Sequence, residues 1–104
     1  MEKRIFKYEI NTSLHGDKTD IHLPIDAKLL YINYQHNERA VQAWFEVDEN
    51  NDYEKRTFYA MYTGFKFNND NLRFFQSVVF PNESFVVHIY EEIEDFIKNE
   101  EMEI

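Results

Sequence analysis

The sequence predicts a mainly β fold, an antiparallel sandwich or open barrel of about seven strands with a short C-terminal helix. Three observations carry that expectation. Runs of about five to ten residues alternate apolar with polar positions and are rich in β-branched and aromatic side chains, which is the period of a half-buried strand. Clusters of Asn, Asp, Gly and Pro separate the runs. Only the last stretch, "EEIEDFIKNEEMEI", spaces its apolar residues as a helix does.

Taken in order, "RIFKYEI" (4–10) puts Phe6, Tyr8 and Ile10 on one side and Lys7 and Glu9 on the other. "NTSLHGDKTD" breaks the pattern with Gly16, Asp17 and Asp20, and "IHLP" (21–24) is a short strand stopped by Pro24. "AKLLYINYQ" (27–35) and "AVQAWFEVD" (40–48) form a hairpin across "HNER". Val41, Ala43, Phe45 and Val47 share one face; Gln42, Trp44, Glu46 and Asp48 share the other. "ENNDYEK" is a loop in which Asn and Asp take turn conformations that a chain with 2 glycines seldom assigns to Gly. "RTFYAMYT" (56–63) ends at Gly64, "NNDN" (68–71) is a turn, and "LRFFQSVVF" (72–80) and "SFVVHIYE" (84–91) flank "PNE" as a second hairpin. Short connections favour antiparallel neighbours, since parallel pairs need a long crossover.

At 104 residues the chain is read as one domain, 1–104, with a β region of about 4–91 and an acidic helix of about 91–100. With 43% hydrophobic and 17% aromatic residues it is too apolar for a disordered segment. No run approaches the ~20 apolar residues of a membrane helix, and no signal peptide is visible, so the expectation is cytosolic, with no membrane partner. The absence of Cys excludes disulfides and thiolate chemistry. A net charge of -9 argues against direct binding of nucleic acid, which needs Lys and Arg to displace counterions, and favours a basic partner.

Specific chemistry finds little footing. Asp48, Asn50 and Asp52 have the spacing that opens a calcium loop, but Tyr53 stands where the turn requires Gly and Tyr59 where a bidentate Glu belongs. His15, His22, His36 and His88 show no metal spacing; His88, alternating with Val87 and Ile89, reads as a partly buried packing residue. Ser13, Ser77 and Ser84 lie in no nucleophile setting, and Gly16 and Gly64 open no phosphate loop. No catalytic residue, metal ligand or cofactor is expected. In "TFYAMYTGFKF" and "LRFFQSVVF" aromatics occur on both faces, so one face is core and the other needs a cover, either the terminal helix or a partner.

The order of segments "KYEI", "IHLPIDAKLL", "AWFEVD", "RTFYAMYTG" and "FVVHIYE", spanning residues 4 to 91, resembles a family of small phage-encoded proteins of unknown function. This chain departs from the family pattern at Phe65, where His often follows Thr-Gly, and at Gln76 and Ser77, where Gly-Thr is common. The resemblance implies a protein of the host bacterial cytoplasm that binds and disables host machinery, and it carries over no catalytic residue.

The expected function is therefore non-catalytic: a phage-encoded inhibitor of a basic host or defence protein, in concrete form an anti-CRISPR inhibitor of a nuclease. The expected partner-binding residues are acidic, Glu91, Glu92, Glu94 and Asp95 on the terminal helix with Asp48, Glu49, Asp52 and Glu54 of the central loop. Ile93, Phe96 and Ile97 would dock that helix on the sheet. Two alternatives stay open, a structural or virion-accessory module that self-associates, homodimers included, and a small module that sequesters a ligand or nucleotide.

Overall fold

A computed structural model describes residues 2–93. Within them seven strands form two antiparallel sheets: β1 (Arg4–Ile10), β2 (Asp17–Pro24), β3 (Lys28–Gln35), β4 (Ala40–Val47), β5 (Tyr53–Tyr62), β6 (Leu72–Val79) and β7 (Val86–Glu92), with a single 3-10 turn at Pro81–Glu83. The three-stranded sheet has the order β1-β4-β3 and the four-stranded sheet β2-β5-β7-β6. They pack face to face without closing into a barrel. The mainly antiparallel β expectation holds, whereas the terminal helix expected from residue 91 does not begin there. Glu91 and Glu92 continue β7, and residues 94–104, where the rest of that helix was expected, lie outside the described residues. Among the described residues no helix is long and apolar enough to cross a membrane.

Alternation explains which face of each strand is buried. Val41, Ala43, Phe45 and Val47 of β4 meet Phe58 and Ala60 of β5 and Val87 and Ile89 of β7, all buried. Phe45 and Phe58 touch edge to face at 5.9 Å, and each ring excluded from water contributes roughly 1.5–3 kcal/mol. Tight turns fall largely to Asn and Asp: Asp26, Asn71 and Asn82 take positive φ, joined by Arg39 in the hairpin turn.

Strand β2 begins at Asp17, four residues before the expected 21. Its early half has no apolar pattern because polar pairing holds it. Asn11 N–H donates to the Thr19 hydroxyl at 2.8 Å and the Thr57 hydroxyl to Asp20 at 2.7 Å. The Thr57 bond, the largest effect, holds the Asp20 carboxyl below its ordinary 3.8 against an opposing effect of burial, with the charges of Lys18, Lys55 and His22 adding to the lowering. A depressed folded value means that this contribution is present above 3.8 and is lost as pH falls through the lower, folded value. Urea titrations at falling pH should therefore show Thr57→Val losing less stability in acid than the wild type.

Strands β5 and β6 both flank β7 antiparallel, so they run parallel to each other. Residues 63–71 must then travel the length of β7 across the outer face of the four-stranded sheet. Phe67 of this strap packs on Tyr90 at 5.2 Å, and Phe74 of β6 meets the same ring at 5.5 Å.

On the side where β3 passes β6, the two sheets are tied by a side chain. Gln76 sits just past a bulge in β6. Its amide accepts from Ile32 N–H at 3.0 Å and donates to the Ile32 carbonyl, doing for β3 what a neighbouring backbone would do.

Candidate functional site: an apolar groove at one end of the sandwich

Three segments converge at the end of the sandwich where β5 finishes and β7 begins: the β1–β2 loop, the start of the strap, and the residues preceding β7. They line a groove of about 700 Å³ whose walls include Leu14, His15, Tyr62, Phe65, Phe85 and Val86. Leu14, Phe65 and Phe85 are among the most exposed apolar side chains of the described residues, at 69%, 62% and 57%. Concave apolar surface of this size, with a few polar groups at its margin, is the usual form of a recognition site.

The groove is held in shape by specific bonds. His15 Nδ1 accepts from Tyr62 N–H at 3.0 Å, so the ring carries its proton on Nε2 and donates it to the Lys66 carbonyl, also at 3.0 Å. The imidazole thus extends the β2–β5 ladder just beyond Gly16, whose N–H bonds the Ala60 carbonyl at 2.7 Å. The same ring stacks on Phe65 at 5.0 Å. Gly16 has φ +82°, a conformation that favours glycine and turns the loop toward the strap. Asp17 caps the turn by accepting from Leu14 N–H at 2.6 Å. Tyr62 forms the floor, with its hydroxyl bonded to the Thr12 carbonyl. Burial holds its phenol above the ordinary 10.0, so at neutral pH it is a donor and not a base.

His88 completes the support. Its Nδ1 faces the Ser77 hydroxyl at 2.7 Å and its Nε2 the Thr63 hydroxyl at 2.9 Å, which fixes the start of the strap to β6 and β7. Register explains the meeting, since Ser77 and His88 are directly opposite across the β6–β7 ladder. A hydroxyl bonded to an imidazole is half of a nucleophilic pair. Acyl transfer also needs N–H donors aimed at a developing oxyanion, and on a sheet face those groups lie in the plane of the ladder, engaged with neighbouring strands. The chain of hydroxyl, imidazole and hydroxyl links the strap to β6 and β7.

Among the described residues, the acids expected to bind a partner do not line one common hollow. Glu91 points inward and is 6% exposed, which corrects its placement on an acidic outer face. Its alternation with Val87 and Ile89 brings it to Arg56, whose Nε and Nη2 donate to its two oxygens at 2.6 and 2.7 Å. Arg56 also donates to the Ala27 carbonyl at 2.7 Å and lies over Phe45 and Phe58. The Glu91 bond raises the Arg56 pKa further, so the guanidinium stays charged. Glu92 faces outward and accepts from the Tyr59 hydroxyl at 3.0 Å. Glu54, Glu91 and Glu92 share a hollow with Lys55, Arg56 and Arg73. Asp48 and Glu49 share another with Lys3 and Arg4, Glu49 pairing with Arg4 and Asp48 capping its own turn through Asn50 N–H at 3.1 Å. Asp52 is exposed beside them, its carbonyl taken by Ile25 N–H at 2.8 Å. Glu94 and Asp95 lie outside the described residues. In both hollows the acids come interleaved with bases.

A family model described as a domain of unknown function (DUF7352) matches residues 1–100, and the chain belongs to that family. No curated protein and no solved structure matches it.

Proposed function

We propose that this member of the family is a non-catalytic protein-binding module whose end groove receives an apolar side chain of its partner. The observation that carries this reading is the convergence of Leu14, Phe65 and Phe85 on one groove, exposed there while the His15, Asp17 and Thr63 bonds hold the β1–β2 loop and the start of the strap. Exposed apolar side chains carried on a backbone already held in place leave less of the chain to be ordered on binding, which favours an anchor site. The charge of -9 supports a basic partner through encounter rate and specificity more than through raw affinity. Inhibition of a host or defence protein, an anti-CRISPR role included, is the narrower form of this reading; it rests on the charge and on the resemblance to phage proteins, and it places the protein in a bacterial cytoplasm.

The test uses peptides selected from a random library against the full chain. The joint substitution Leu14→Asp with Phe85→Asp should weaken the selected peptides by more than about tenfold, which corresponds to about 1.4 kcal/mol. The melting temperature should hardly move, because both side chains are exposed in the free protein. Unchanged affinity would remove the groove from the mechanism.

A self-associating structural module is the second reading. Ile5 and Tyr31 are exposed on the outer face of the three-stranded sheet, Tyr31 tilted against Trp44 at 5.8 Å. Sedimentation at rising concentration separates the two, since a groove binder without its partner stays monomeric.

A further inference from the structure

His15 holds the groove through two bonds that differ in kind. Its Nε2–H donates to the Lys66 carbonyl, a bond that the neutral and the charged ring can both make; its Nδ1 accepts from Tyr62 N–H at 3.0 Å, a bond that only the neutral ring can make. A backbone N–H donates and does nothing else. Flipping the ring gives no escape, because an imidazolium carries a proton on both nitrogens. These two bonds tie the β1–β2 loop to β5 and to the strap, and the stack of the ring on Phe65 carries one groove wall.

His88 differs. The hydroxyls of Ser77 and Thr63 rotate to donate or to accept, so that ring keeps both of its bonds in either charge state. Among the described residues, His15 is the one histidine whose ring accepts from a backbone N–H. Titratable groups stand on each element packed against it. Its own loop carries Asp17, whose carboxylate accepts from Leu14 N–H; β5 brings the Tyr62 phenol, bonded to the Thr12 carbonyl; the strap brings Lys66. Phe65 and Phe67 of the strap, at 5.0 and 6.4 Å from the ring, are uncharged. Asp17 and Lys66 act on the ring's proton in opposite directions, and neither changes what Tyr62 N–H can do.

We propose that His15 is a pH-sensitive latch of the end groove: the neutral ring holds it together, and a second proton on the ring releases Tyr62 N–H and lets the β1–β2 loop and the start of the strap part. Histidine is the side chain that ordinarily changes charge between about pH 8 and about pH 5, so the latch works near neutrality. The fold survives the release, because the β2–β5 ladder continues from the Gly16–Ala60 bond to the Pro24–Tyr53 pair. A partner seated against Leu14 and Phe65 is then held near neutral pH and let go in acid. That consequence rests on the groove being the recognition site; the latch itself does not.

Long-range nitrogen–carbon correlation on the isotope-labelled full chain reads the tautomer and charge of each histidine, and hydrogen exchange reads Tyr62 N–H. At neutral pH the His15 proton is expected on Nε2. As His15 gains its second proton, protection of Tyr62 N–H should fall by about tenfold or more, while that of buried Ile89 in β7 holds. A library-selected peptide without histidine should weaken by about threefold or more over the same step, the size of one lost hydrogen bond. His15→Asn, whose amide oxygen accepts without titrating, should remove that pH dependence. Tyr62 protection that stays constant through the His15 titration, or a proton on Nδ1 at neutral pH, overturns the latch, and both are read on the unaltered chain. Affinity that ignores His15 protonation, with the peptide shifting the groove amides, overturns its control of binding. A peptide that shifts amides elsewhere removes the groove reading instead, and Tyr62 protection still decides the latch.

Discussion

Replacing Glu91 with Gln is expected to destabilise the domain by about 3–5 kcal/mol, a large part of the ~5–15 kcal/mol that holds a small domain folded. Gln keeps the shape of the side chain and removes its charge. Arg56 would then be a cation enclosed by Phe45, Phe58 and the Ala27 carbonyl, with its two short bonds to a carboxylate gone. Most of the effect is the desolvation of an uncompensated guanidinium, not the loss of attraction between two charges. The double variant Arg56→Met with Glu91→Leu should therefore recover much of the stability, because it removes both charges and fills the space with apolar atoms. Denaturant unfolding of the three proteins decides the matter: a Glu91→Gln loss below about 1 kcal/mol would place the pair among surface ion pairs.

The second large effect is expected at Gln76. Gln76→Leu leaves the Ile32 N–H and carbonyl without their partner at a residue that is 0% exposed. Each orphaned buried group costs about 1–3 kcal/mol. Gln76→Glu separates the two bonds, since a carboxylate still accepts from Ile32 N–H but cannot donate to the carbonyl. Hydrogen exchange at Ile32 N–H should be accelerated strongly in Gln76→Leu and much less in Gln76→Glu. Equal protection in all three would mean that β3 is held by its pairing with β4 alone.

The strands were legible wherever alternation carried apolar residues, as in Phe6, Tyr8 and Ile10 or Val41 to Val47, because burial of one face of a sheet imposes a period of two. The first half of β2 was not legible. Its strand is made by cross-strand polar pairs such as Asp20 with Thr57, and a single sequence does not show which strand a polar residue faces. Glu91 had a readable signal: counting by twos from Val87 places it inside, opposite the face of His88. The run of acids that follows drew it instead to the outside and to a helix.

The groove was hidden for a different reason. Leu14, Phe65 and Phe85 lie in loops, where no period relates neighbouring side chains, and their meeting depends on the topology that brings the β1–β2 loop, the strap and the start of β7 to one end. Gln76 and His15 do the work of a missing backbone at the edge of a ladder, which composition cannot reveal. The strap itself follows only from strand order, because β5 and β6 are consecutive in sequence yet separated by β7 in the sheet. What the sequence did announce, an aromatic surface on both faces of the second sheet, is found as the Phe67–Tyr90–Phe74 cluster.

The end groove is where recognition is proposed to take place. Its most direct test is amide shift mapping on the full chain with a library-selected peptide bound. Shifts are expected to concentrate at Leu14, His15, Thr63, Phe65, Phe85 and Val86, with loss of the same shifts in Leu14→Asp with Phe85→Asp. Shifts confined to Asp48–Glu54 or to the Tyr31–Trp44 face, with the groove silent, would contradict it.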